Sequence, residues 1–267
     1  MTTNAVATTT FSTPHRRIGL TTAWRIERTK IRTSWFLIGI VILSAIAQIL
    51  GVFTYTTNLS EFQEQGVTWV VTWSQGGIMV TTIFMPLLYV VSLAHPESLE
   101  YQTRGWQRMV SVDRIAPAVL GKVLVALELA LIGMGIYYVA AVITGLLLGF
   151  DPAGLGILLT RGLCGALGAW AIGTVTLMLA TWVRTFATLS AAGMGAIIVG
   201  MVLTTIAPSL ASGYPFTLIT FGMGARAASQ EGAFTSPITM IGTAIVCLIW
   251  VALSVVVTIS RIRRREW

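Results

Sequence analysis

Charge is what this chain has least of. Only 10% of its 267 residues are Asp, Glu, Lys or Arg and 55% are hydrophobic, whereas roughly a quarter of a soluble domain is charged. That balance excludes a water-soluble globular domain and suits a bilayer. Cysteine is nearly absent: Cys164 and Cys247 each lie inside an apolar run, so they read as small buried hydrophobes rather than as a disulfide framework or a metal spacing. No G-x-x-x-x-G-K-[ST] occurs, which leaves the chain without a Walker loop for ATP. The only histidines are His15 and His95, no serine opposes either in a buried dyad, and no H-E-x-x-H or aspartate pair is present. No catalytic residue, metal site or cofactor is therefore expected in this chain. The net charge of +7 sits at the margins of apolar runs rather than among exposed aromatics, so nucleic acid is not an expected partner.

What the chain has instead is long apolar runs. A helix needs about 20 residues to cross a hydrocarbon core of about 30 Å, and six stretches qualify: 35–55, 67–94, 116–150, 155–183, 186–207 and 237–260. In the second, Trp69 and Trp73 are placed for an interfacial belt and Pro86 for a kink. The third is too long for one crossing and too short for two, so its start is expected to project into the cytosol. Residues 1–15 are Thr-rich at their start, without periodicity or a legible signal peptide, and read as disordered. In 16–34, Ile18, Leu20, Trp24, Ile26 and Ile31 alternate with Arg16, Arg17, Arg25, Arg28, Lys30 and Arg32. That pattern predicts an amphipathic elbow helix along the membrane surface. A basic tail, 261–267, follows the last span.

Charge bias orients the spans. With both termini inside, fifteen of the seventeen Lys and Arg face the cytoplasm, and only Arg161 and Arg226 fall on or near the outside, beside Glu61, Glu64, Asp151 and Glu231. The expected location is the plasma (cytoplasmic) membrane, multi-pass, with lipid as a constant partner. Gly165, Ala169 and Gly173 recur every four residues in the fourth span, and the fifth carries Gly193, Gly195 and Gly200. Such stripes serve close packing within the chain or a dimer interface. The connection 208–236 stays apolar until Gln230 and Glu231 and contains Tyr214, Phe216 and Phe221. It reads as short helices dipping into the outer leaflet, forming an outer gate, or as an ordinary packed loop.

The most charged internal segment is 99–122, with Glu100, Arg104, Arg108, Asp113, Arg114 and Lys122. Before Pro117 there is room for an amphipathic helix at about 97–114, with Leu99, Trp106, Met109 and Val110 available to one face. It is either a docking surface or a solvated cytoplasmic loop. Glu128, within the third span, is the one acidic candidate for the membrane interior; it should face a polar cavity, a dimer seam or a basic partner.

The order of basic elbow, two spans, charged cytoplasmic helix, three spans, outer segment and last span resembles the permease subunit of type-2 ABC exporters. The likeness is greatest to lantibiotic-immunity permeases, whose loop after the second span carries a glutamate, a tryptophan, a basic residue and then a lysine opening the third span. Glu100, Trp106, Arg114 and Lys122 match these, and Gly105 follows Glu100 as in the broader family; Val112 and Asp113 stand where a proline-containing turn is usual. The resemblance implies an all-α type-2 exporter fold of six transmembrane helices with an elbow, a coupling helix and a semi-buried extracellular segment. It implies an ATPase-coupling set of Glu100, Arg104, Gly105, Trp106, Arg108 and Arg114, with ATP and Mg on a separate cytoplasmic ABC ATPase dimer. It further implies a second permease, as homodimer or heterodimer, and an amphipathic substrate such as an antimicrobial peptide, a lipid-like compound or a hydrophobic drug. Glu128, Tyr214, Phe216 and Phe221 are the substrate-pathway candidates. An ion-coupled secondary transporter and a non-transporting scaffold are the alternatives; the first would need more ionisable groups at mid-membrane than Glu128 supplies.

Overall fold

The computed structural model describes residues 19–64, 69–75, 77–111, 114–225 and 234–264. The expected N-terminal disorder, Arg16, Arg17 and Ile18 of the elbow, Val112, Asp113, Arg226, Glu231 and the last three residues lie outside that set. Among the described residues there is no strand. A short helix, α1 (Leu20–Thr29), precedes α2 (Thr33–Thr57) and the short α3 (Leu59–Glu64). The chain returns through two wide π-helical turns, Val71–Gln75 and Val80–Phe84, into α4 (Met85–Gln102) and then α5 (Gly105–Ser111). Next come α6 (Ile115–Leu147), α7 (Leu155–Ala180) and α8 (Phe186–Ile206). The short α9 (Pro208–Ala211) and α10 (Leu218–Gly222) lead to α11 (Pro237–Arg264). Six of these helices are long and apolar enough to cross a membrane.

The second passage differs from the 67–94 span expected, in which Pro86 alone interrupts the helix, by two π-helical turns. Thr72, Ser74 and Thr81 turn their hydroxyls back onto the carbonyls of Trp69, Val70 and Ile78, and the Tyr137 hydroxyl donates to the Trp73 carbonyl at 2.7 Å. Side chains that compete for ladder carbonyls favour widened turns. Pro86, expected at a kink, stands at the junction of the π-helical turn Val80–Phe84 and α4, where its missing N–H falls in an already widened turn. Trp69 and Trp73 are buried, donating to the carbonyls of Asp151 (2.7 Å) and Met223 (2.8 Å), so they are core residues and not belt residues.

The centre of the bundle is α7, which packs on α4, α6, α10 and α11. Small side chains make that possible. A Cβ on Gly168 would lie 2.5 Å from the Leu218 backbone, and one on Gly173 would lie 2.9 Å from Leu93 and 3.1 Å from Ala126. In the α7 stripe, Gly173, Gly165 (a Cβ would lie 2.7 Å from Met223 and 2.8 Å from Met134) and the wholly buried Ala169 all pack within the chain. In contrast, α2, α8 and α11 present rows of exposed apolar residues, such as Ile42, Ile49 and Phe53, Ile198, Val202 and Ile206, or Ile241, Ile245 and Ile249. An apolar solvent suits such surfaces.

The connection from α8 to α11 folds inward. Phe216, Leu218, Ile219 and Met223 are buried, and a Cβ on Gly222 would lie 2.6 Å from the Cys164 carbonyl oxygen, so α10 lies backbone to backbone on α7. Tyr214 donates to the Ala196 carbonyl and Trp250 to that of Gly213. Arg161, 2% exposed, donates to the carbonyls of Gly222 at the end of α10 and of Phe234 shortly before α11, fastening both to α7.

Candidate functional site

Three helices meet where the charged segment enters the bundle. The elbow α1 turns its buried face, Ala23 and Glu27, onto the first turns of α6. Its approach depends on Gly121: a Cβ there would lie 2.9 Å from the Ala23 carbonyl carbon and oxygen. Next along α6 stands Lys122, and the last two turns of α4 supply Glu97 and Glu100.

Lys122 is the hub. Its Nζ lies 2.6 Å from Glu97, 3.1 Å from Glu27 and 3.5 Å from Glu100, and all four side chains are almost wholly buried. Lys30, at the end of the elbow, closes the ring at 2.7 Å from Glu27 and 2.5 Å from Glu100. The Trp106 indole covers the other side of Lys122, with its ring centroid 5.3 Å from Nζ. Three carboxylates thus share two ammonium groups and one π face. Ions withdrawn from water hold such a place only while their partners remain. The geometry makes a three-helix joint: elbow, second passage and third long helix cannot shift separately without parting buried charges.

The expected helix at 97–114 is two helices. The second passage runs on to Gln102, so Glu97 and Glu100 belong to it; the chain then turns at Arg104, whose φ of 56° is left-handed, and α5 begins at Gly105. Glu100 packs against the α-carbon of Gly105, leaving no room there for a Cβ. A glutamate followed five residues later by glycine is thus one contact. Glu100 pairs with the elbow and not with Arg104, because the helix that would place residue i+4 beside it has ended.

The coupling candidates separate into two groups. Trp106 is 2% exposed and packs in a cluster with Ile115, Val119 and Ile262, so it anchors α5 to the bundle and is not available to a partner. Arg104, Gln107, Arg108 and Ser111 are exposed. Beneath them Gly105, Arg108, Met109 and Arg114, with Ala23, Ile26 and Pro117, line a groove of about 310 Å³. Glu128 meets a basic partner: Arg28 Nε at 2.9 Å, with the Trp24 indole N–H also at 2.9 Å. Of the outer candidates, Phe216 is buried in the bundle while Tyr214 and Phe221 are half-buried.

Glu27, Lys30 and Glu97 are absent from the sequence-derived site, and Lys122 enters it only through the resemblance. A signal was available. In a chain with ten acidic residues, glutamates on the side that charge bias makes basic need a reason, and Glu27, Glu97 and Glu100 all lie there. No family model matches the chain, and no curated protein does.

Proposed function

We propose that this chain is the permease subunit of an ATP-driven exporter of the type-2 ABC kind, moving an amphipathic molecule out of the membrane or cell. The observation that carries the reading is the joint at Lys122, with a short exposed helix attached to it. A seven-residue α5 that offers Arg104, Gln107, Arg108 and Ser111 outward, while Trp106 and Glu100 tie it to the elbow and to α6, suits a lever. A force applied to α5 by a separate ATPase would reach α1, α4 and α6 together, since these three share buried charges. The outer connection, Tyr214 and Phe221 included, would act as the gate at the far end, and Glu128 would sense the elbow's movement through Arg28. Two such chains, alike or different, would enclose the pathway, with ATP and Mg on the ATPase.

The test uses full-length protein purified in mild detergent from its native membrane. A nucleotide-hydrolysing partner should co-purify, with hydrolysis stimulated by the permease. The Arg104→Glu/Arg108→Glu variant should abolish both while reaching the membrane at normal levels. Truncating an interface arginine costs about 2 kcal/mol or more, near thirtyfold in affinity. Recovery of the chain without any hydrolytic partner, or undiminished stimulation in the variant, would defeat the proposal.

A further inference from the structure

The turn after α7 and the last turns of α11 flank a second cavity, open to the surface, of about 390 Å³, walled by Trp182, Val257, Ser260, Arg261 and Arg264. It shares no residue with the joint but lies at the same end of the bundle, since Ile262 packs in one cluster with Trp106. The Arg261 guanidinium stacks on Trp182, 4.3 Å from the ring centroid. Its Nε–H is covered from solvent, and Arg261 as a whole is half-buried, so its charge is partly withdrawn from water. A charge so placed without a counter-ion favours a site that an anion can complete. Among the described residues no carboxylate lines the cavity, and neither Arg261 nor Arg264 forms an ion pair.

The cavity also has an apolar approach. Ile249, Leu253 and Val256 are 58%, 46% and 64% exposed, and their spacing of four and three residues puts them on one helical face leading to Ser260. Trp182 is 44% exposed at the cavity wall, as an indole at a membrane interface would be. A soluble anion would use the arginines but not the strip. A molecule with a phosphate at one end and hydrocarbon at the other would use both, and basic pockets between helices at the inner membrane surface suit such headgroups.

We propose that this cavity binds the phosphodiester headgroup of an anionic phospholipid, with Arg261 and Arg264 on the phosphate and the first acyl carbons along Leu253 and Val256. The inference needs the helices to span a bilayer; it does not depend on an ATPase partner. Full-length protein in detergent is titrated with dioleoyl phosphatidylglycerol or dioleoyl phosphatidylcholine and read by native mass spectrometry. One phosphatidylglycerol per chain should bind at least about tenfold more tightly than phosphatidylcholine, the factor expected of a charge-assisted contact. Arg261→Ala/Arg264→Ala should abolish the preference, whereas Arg263→Ala, which removes the same charge from an exposed residue outside the cavity, should keep it. If the double variant does not fold, Arg264→Ala alone should lose about tenfold. Equal binding of the two lipids, a preference that survives the double variant, or an equal loss with Arg263→Ala would overturn the site. Displacement of the lipid by an equal concentration of glycerophosphoglycerol, the headgroup without its chains, would make the ligand a soluble anion and overturn the lipid assignment.

Discussion

The two ends of this bundle are held together by opposite means. At the joint, four nearly buried ionisable side chains, Glu27, Glu97, Glu100 and Lys122, are fixed by one another and by Lys30. At the far end the connection through α10 is fixed by contact of backbone on backbone, Gly168 against Leu218 and Gly222 against Cys164, with Arg161 serving carbonyl oxygens. Ion pairs withdrawn from water hold their helices only while the partners stay together, so the joint resists separate shifts of α1, α4 and α6. A glycine contact is held by close approach, and displacing it opens a void. The difference teaches how each end holds: the joint ties three helices into one unit through charge, and the α7–α10 contact keeps its shape through backbone packing.

The largest effect should come from removing the hub. Lys122→Met leaves three carboxylates facing Lys30 alone, and breaking a buried pair from one side costs about 3–5 kcal/mol. Thermal unfolding in detergent should show it as a large drop in midpoint and as reduced yield. Lys30→Met, at a side chain 32% exposed, should lose much less because water can reach its partners. If the two variants lose stability equally, the joint is wet and the contrast between the ends disappears.

At the other end the expected effect is smaller and of a different kind. Gly168→Ala adds one methyl where the nearest atoms are Leu218 backbone atoms at 2.5–2.6 Å, and overpacking of this sort costs about 1–3 kcal/mol. The loss should not change with salt, whereas stability lost at the exposed edge of the joint should. A Gly168→Ala protein as stable as the parent, measured by the same unfolding assay, would mean that α10 is loosely seated.

Much of the architecture was legible because its cause is local. Apolar length gives the long helices, and the structure places them at Thr33–Thr57, Ile115–Leu147, Leu155–Ala180, Phe186–Ile206 and Pro237–Arg264, each near the run that predicted it. The second passage was not legible as observed, since the first of its π-helical turns has its Trp73 carbonyl met by the Tyr137 hydroxyl, 64 residues away. The joint was legible only in part. Lys122 and Glu97 are 25 residues apart, and Lys30 and Glu100 are 70 apart, so no window of sequence holds both partners. Trp106 shows the same limit: at the surface of an amphipathic helix it reads as a docking anchor, and only the packing of Ile262 from the last helix shows that it is covered from within.

The smallest effect is expected at Glu128, where the comparison can be made finest. Its carboxylate is held by the same elbow that Lys122 holds, but from outside the ring: Arg28 is 52% exposed and Glu128 itself 20%. An ion pair so open to solvent contributes about 0.2–1 kcal/mol. Glutamine keeps an oxygen to accept the Trp24 indole N–H, so Glu128→Gln removes the charge and leaves the hydrogen bond. Expression and unfolding midpoint should stay close to the parent's, while on the proposed exporter function transport of an amphipathic substrate should change if elbow and α6 must move together. A loss of stability comparable with Lys122→Met would show that the rim carries as much as the ring. Unchanged transport with unchanged stability would remove Glu128 from the pathway and leave the buried ring and the close Ala23–Gly121 contact to couple the elbow to α6.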